Sequence, residues 1–136
     1  MMDAEELFNK LKTYFPNNSD LMRHLNIHAC WEYFITEKST NKEDFKLRFF
    51  LYKKKENHLE MTRNDPNIKP DLILYFTENA ILDLIRGNPS AEKYFIRYRE
   101  IMNNPKPGNE VDNKVNKPRL KLWQIGYKKW QSEFKF

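Results

Sequence analysis

The chain predicts an α+β fold: one domain with a five-stranded, mainly antiparallel sheet, covered by helices and finished by a C-terminal amphipathic helix. Three observations predict it. From Ile27 to Thr62 apolar residues recur at every second position in three separate runs, the period of half-buried strands. From Pro70 to Met102 an apolar strand leads directly into two stretches with helical spacing, which returns two helices over one sheet. Trp123, Tyr127, Trp130 and Phe134 then share a helical face near the end of the chain.

Each element follows from local chemistry. The first helix is predicted within residues 1–18, where Leu7, Phe8, Leu11, Tyr14 and Phe15 line one side and Pro16-Asn17-Asn18 ends it. Ser19 or Asp20 opens a short turn toward Leu25. In the first strand Ala29, Trp31, Tyr33 and Ile35 point one way, and His28, Glu32 and Thr36 the other. Glu37 to Asp44 reads as a hairpin link. The second strand sets Phe45, Leu47, Phe49 and Leu51 against Lys46, Arg48 and Phe50, and Lys53 to Asn57 makes a charged turn into a third strand carrying Leu59 and Met61. Short links favour an antiparallel meander. Pro70 and Asp71 start the fourth strand, with Leu72, Leu74 and Phe76 on one face and Ile73 and Tyr75 on the other.

Thr77 caps a helix whose stripe is Ala80, Ile81, Leu84 and Ile85, and Gly87 stops it. Asn88 and Pro89 open the next, with Ala91, Tyr94, Phe95, Tyr98, Ile101 and Met102 along one side. Residues 103–118 hold three prolines, a glycine and two valines; they read as a long polar loop, either a lid or plain disorder. Arg119 to Trp123 reads as the last strand, and the closing helix runs to Phe134.

Composition narrows the classes. With 136 residues the chain predicts a single domain over 1–136 that buries roughly two thirds of the surface its unfolded form exposes. No apolar run approaches the ~20 residues of a membrane helix, Met1 to Glu6 is acidic rather than signal-like, and the lone Cys30 has no partner for a disulfide or zinc framework. Together these predict a cytoplasmic protein. The net charge of +5 decides little.

The order of elements, with Pro70-Asp71-Leu72-Ile73-Leu74, the short helix Ala80 to Gly87, the basic-apolar Arg119-Leu120-Lys121-Leu122 and the closing segment Gly126 to Phe134, resembles the sterol carrier protein 2 (SCP2-like) family over residues 21–136. Residues 103–118 exceed the family's usual link. The resemblance implies a non-catalytic carrier with a hydrophobic tunnel between sheet and helices, binding and transferring a fatty acyl chain, a sterol-like molecule or an isoprenoid lipid. It places Phe95, Tyr98 and Met102 on the second helix, Trp123 on the last strand, and Tyr127, Trp130 and Phe134 on the terminal helix around that tunnel, with Phe76 and Ile85 completing the candidate ligand-binding set. Trp123 also admits a different outcome, an accessory or interaction module whose tunnel is filled.

A lipid site needs concave apolar surface and a few orienting polar groups, and each buried methylene contributes about 0.8 kcal/mol. It requires no metal, cofactor or nucleophile. His24 and His28 stand four apart near Cys30, but the strand period beginning at Ile27 separates them. The serines lack a nucleophile elbow and there is no glycine-rich phosphate loop, so no enzymatic activity, catalytic residue or metal site is predicted. Lys46, Arg48, Lys53, Lys54 and Lys55, and later Lys117, Arg119, Lys121, Lys128 and Lys129, read as solvated faces able to attract an anionic bilayer. FKLRFFLYKK interleaves aromatic and basic residues as single-strand nucleic-acid binders do, leaving Phe50 and Tyr52 as stacking platforms. The expected partner is nevertheless a lipid or other hydrophobic small molecule, with transient contact to a membrane surface and no nucleic acid.

Overall fold

The computed structural model describes residues 2–40 and 42–136. Met1 and Asn41, which the sequence reading assigns to the N-terminal helix and the hairpin link, lie outside the described residues. Five strands form one mixed sheet: β1 (Cys30–Thr36), β2 (Phe45–Lys55), β3 (His58–Thr62), β4 (Leu72–Thr77) and β5 (Val111–Val115), in the order β3-β2-β1-β4-β5. β1–β2, β2–β3 and β4–β5 pair antiparallel, whereas β1 and β4 run parallel. The α+β class and the meander therefore hold. Between β3 and β4 the chain crosses from the sheet edge past two strands, which makes the central pair parallel.

Helices α1 (Ala4–Lys12), α2 (Glu78–Ile85), α3 (Ala91–Asn103), α4 (Arg119–Ile125) and α5 (Tyr127–Phe134) surround the sheet. Their apolar stripes join Ala29, Trp31, Tyr33, Ile35, Phe49, Leu74 and Phe76 in one core. Asp3 starts α1 in a capping box with Glu6. Thr77 and Ser90 cap α2 and α3, accepting from the backbone N–H of Ala80 and Lys93. Ser90, rather than Asn88, fills that role because Asn88 takes a left-handed backbone with φ +53° whereas Ser90 takes the extended backbone an N-cap needs.

Four expectations are corrected. Regular helix ends at Lys12, short of the Phe15 end expected before Pro16-Asn17-Asn18: Pro16 cannot continue the ladder, and Phe15–Asn17 and Ser19–Met22 are 3₁₀ turns. Residues 103–118 are not all loop, since Val111–Val115 is the edge strand β5. An edge strand needs only backbone pairing on one side, so VDNKV can remain exposed and carry no apolar alternation. Arg119 to Trp123 is helix, not strand: Leu120 is 70% exposed while Leu122 is buried, so the Leu-Lys-Leu alternation marks no sheet face. Phe45, expected inside, is 43% exposed. A register shift where Ile35 pairs with Leu47 and Thr36 with Phe45 turns its ring onto Phe34, 5.0 Å away between centroids.

Two basic-strand readings also change. Lys53 is buried, its ammonium donating to the Leu25 carbonyl at 2.8 Å and pairing with Glu56 at 3.1 Å. Phe50 is buried beneath Arg48, whose guanidinium lies 5.0 Å from the ring centroid, so Phe50 is no free stacking platform. Among the described residues no helix is long and apolar enough to cross a membrane.

Candidate functional site: an aromatic cleft

β1 and β4 lie side by side with their inner side chains facing the helices, and α4 and α5 meet at Gly126 rather than forming one rod. Gly126 takes φ +117°, and a Cβ there would sit 2.1 Å from the His24 backbone oxygen. Only glycine fits the bend. The bend lets α5 lie over the sheet while α4 stands aside, leaving a cleft of about 620 Å³. Its floor is Trp31, Tyr33, Leu72 and Leu74, its walls include Tyr94, Phe95 and Tyr98 from α3, and Leu122, Tyr127 and Trp130 close the far side. Tyr33 and Tyr94 are fully buried at the inner end, whereas Trp123 at 36% exposure marks the outer end, with Arg119 and Lys128 cations 4.6 and 4.8 Å from its ring centroid.

A buried polar network holds the roof to the floor. Trp31 Nε1 donates to the Tyr127 hydroxyl at 2.8 Å, which donates to Asp71 Oδ2 at 2.7 Å. The same carboxylate accepts from the Cys30 N–H at 3.1 Å and pairs with Lys117 at 2.5 Å. Trp130 Nε1 donates to the Leu21 carbonyl at 2.9 Å, so two indoles present satisfied rings to the cleft. Tyr98 accepts from Asn113 Nδ2 at 3.1 Å. Burial pushes the phenols of Tyr33, Tyr94 and Tyr127 well above their ordinary range and that of Tyr98 to about 12, the Asn113 bond opposing the last shift. They are neutral at physiological pH.

Of the candidate ligand-binding residues, Phe95, Tyr98, Trp123, Tyr127 and Trp130 line this cleft. The other four do not. Phe76 is packed flat beside Tyr33 at 5.6 Å and edge-on to Tyr98, inside the core one strand position beyond the floor. Phe134 backs Phe95 at 4.5 Å, with Arg23 over its other side. Ile85 sits on a separate groove with Lys10, Tyr14 and Leu82. Met102 is half-buried, with its sulfur 3.8 Å from Asn113 Nδ2. Trp123 flanks the opening and does not fill it.

The residues missed from sequence have two origins. Trp31, Tyr33, Leu72 and Leu74 were visible as inward strand positions, but alternation does not tell filled core from cavity floor. Asn113 and Val115 lie in the strand read as loop, and Phe136 reaches Trp130 only because Lys135 takes φ +61° and turns the ring back to stack at 5.3 Å. Neither a scan of protein-family models nor a search of curated proteins finds a match to the chain.

Proposed function

We propose that the protein binds, without catalysing a reaction, a hydrophobic molecule carrying a fatty acyl, sterol-like or isoprenoid skeleton in the cleft beneath α5, and that it transfers such molecules. The observation that carries this reading is the cleft: about 620 Å³, walled by aromatic and leucine side chains, within the 300–1,000 Å³ typical of small-molecule sites. A sheet floor and helical roof have the layering that the SCP2-like resemblance implies, although Arg119–Leu122, one of the segments that carried the resemblance, is helix and not strand. Arg119 and Lys128 beside Trp123 favour approach to an anionic bilayer, each basic group contributing roughly 1 kcal/mol near such a surface. Transfer would then occur by brief contact at the cleft's outer end.

Titration with a fluorescent fatty acyl probe tests this reading. Saturable uptake is expected, with affinity falling several-fold in Trp123→Ala and unchanged in Lys54→Ala, whose side chain is half exposed and paired with Glu60 away from the cleft. Refusal of acyl, sterol and isoprenoid probes alike would contradict it.

A further inference from the structure

The inner end of the cleft contains an oxygen with no partner. Among the described residues three buried side-chain polar atoms lack a hydrogen bond, and the Tyr33 hydroxyl is the one whose residue lines the cleft. Tyr33 is 0% exposed. Phe49 stacks on one side of its ring at 4.5 Å and Phe76 packs nearly parallel at 5.6 Å. With the ring faces covered, Tyr33 meets the cleft by its edge. The Tyr94 hydroxyl is a hydrogen-bonding neighbour close enough to oppose the upward shift of the Tyr33 phenol, but no bond of full donor–acceptor geometry joins the two.

Three neighbouring polar groups are engaged. Trp31 Nε1 donates to the Tyr127 hydroxyl, which donates to Asp71, and Tyr98 accepts from Asn113. A buried hydroxyl without a partner is unfavourable, so a guest supplying one is favoured at this point. The cations lining the cleft, Arg119 and Lys128, stand at Trp123 on the outer end, so a carboxylate driven inward would be buried without a counter-ion.

We infer that the cleft selects neutral amphiphiles bearing a hydroxyl, taken up head first so that the ligand hydroxyl bonds to Tyr33 while its hydrocarbon lies against Leu72, Leu74, Phe95 and Trp130. This rests on the proposed binding of hydrophobic molecules and specifies their polar end. Tyr33 is a binding and specificity residue; no bond is made or broken.

All three tryptophans line the cleft, so intrinsic fluorescence reads occupancy when the protein is titrated with 1-octanol and with octane. In the wild type octanol binds at least as tightly as octane. Tyr33→Phe keeps the ring stack, weakens octanol about tenfold, the loss expected for one hydrogen bond, and leaves octane unchanged or tighter. Octanol affinity within twofold of wild type in Tyr33→Phe, with octane still bound, overturns the inference and spares the cleft reading. If the variant does not fold, the wild type decides: octane binding tenfold more tightly than octanol overturns it. Failure of both compounds to bind overturns the inference and the hydrophobic-ligand reading together.

Discussion

Asp71 is fully buried and ties together the start of β4, Cys30 on β1, Lys117 beyond β5 and Tyr127 on α5. Removing it strands the ammonium of Lys117, whose side chain is 14% exposed, so Asp71→Ala should lower unfolding free energy by about 3–5 kcal/mol. Tyr127→Phe should cost about 1–2 kcal/mol, because Trp31 loses its acceptor; urea denaturation of the two variants checks the order. Cys30 is a second residue-scale test. Burial pushes its thiol to about 12, so a thiol reagent at neutral pH should label it only after the protein unfolds. From sequence Asp71 was legible only as a strand start, since nothing in a linear pattern shows Lys117 and Tyr127 converging on it. Lys53 was misjudged for the same reason: a lysine among lysines gives no sign that carbonyls of a distant turn await it.

At the scale of elements, the strands and helices that bury an apolar stripe were legible, and those that do not were mistaken. β1, β2, α2 and α3 carry periods that burial itself imposes. β5 does not, because its stability comes from backbone pairing with β4. Arg119 to Trp123 misled because a two-residue apolar repeat in so short a segment fits strand or helix. The α4–α5 corner hinges on Gly126, where a side chain would meet both a left-handed backbone and the His24 carbonyl. Gly126→Ala should therefore destabilise by at least about 3 kcal/mol and weaken probe uptake, whereas Gly87→Ala, with φ +78° but nothing within 4 Å of the added carbon, should cost about 1–2 kcal/mol. Thermal melts of the pair separate crowding from backbone strain.

For the whole molecule, one aromatic core joins sheet, helices and cleft, and its buried phenols set the response to alkali. Their folded pKa values lie above the ordinary 10, with Tyr98 near 12. A raised value stabilises the folded state fully below pH 10, and that contribution is lost as pH climbs from 10 toward 12, because the unfolded chain releases the protons first. Tyrosinate absorbance should consequently rise together with loss of circular dichroism in that window; ionisation of these phenols with the fold intact would refute the packing described. The sequence carried the overall layering and five of the nine proposed cleft residues. It could not show which aromatic positions fill space and which enclose it, because both obey the same periodicity.

The most direct test of the cleft's role is a proton–nitrogen correlation spectrum of the protein during addition of lauric alcohol, read at the three tryptophan indole signals. Saturable shifts are expected at Trp31, Trp123 and Trp130 that report one common affinity, with backbone shifts confined to β1, β4, α3, α4, α5 and β5. Indole signals that stay fixed while the ligand is soluble, or shifts gathered at the Lys10 and Ile85 groove on the other side, would contradict that role.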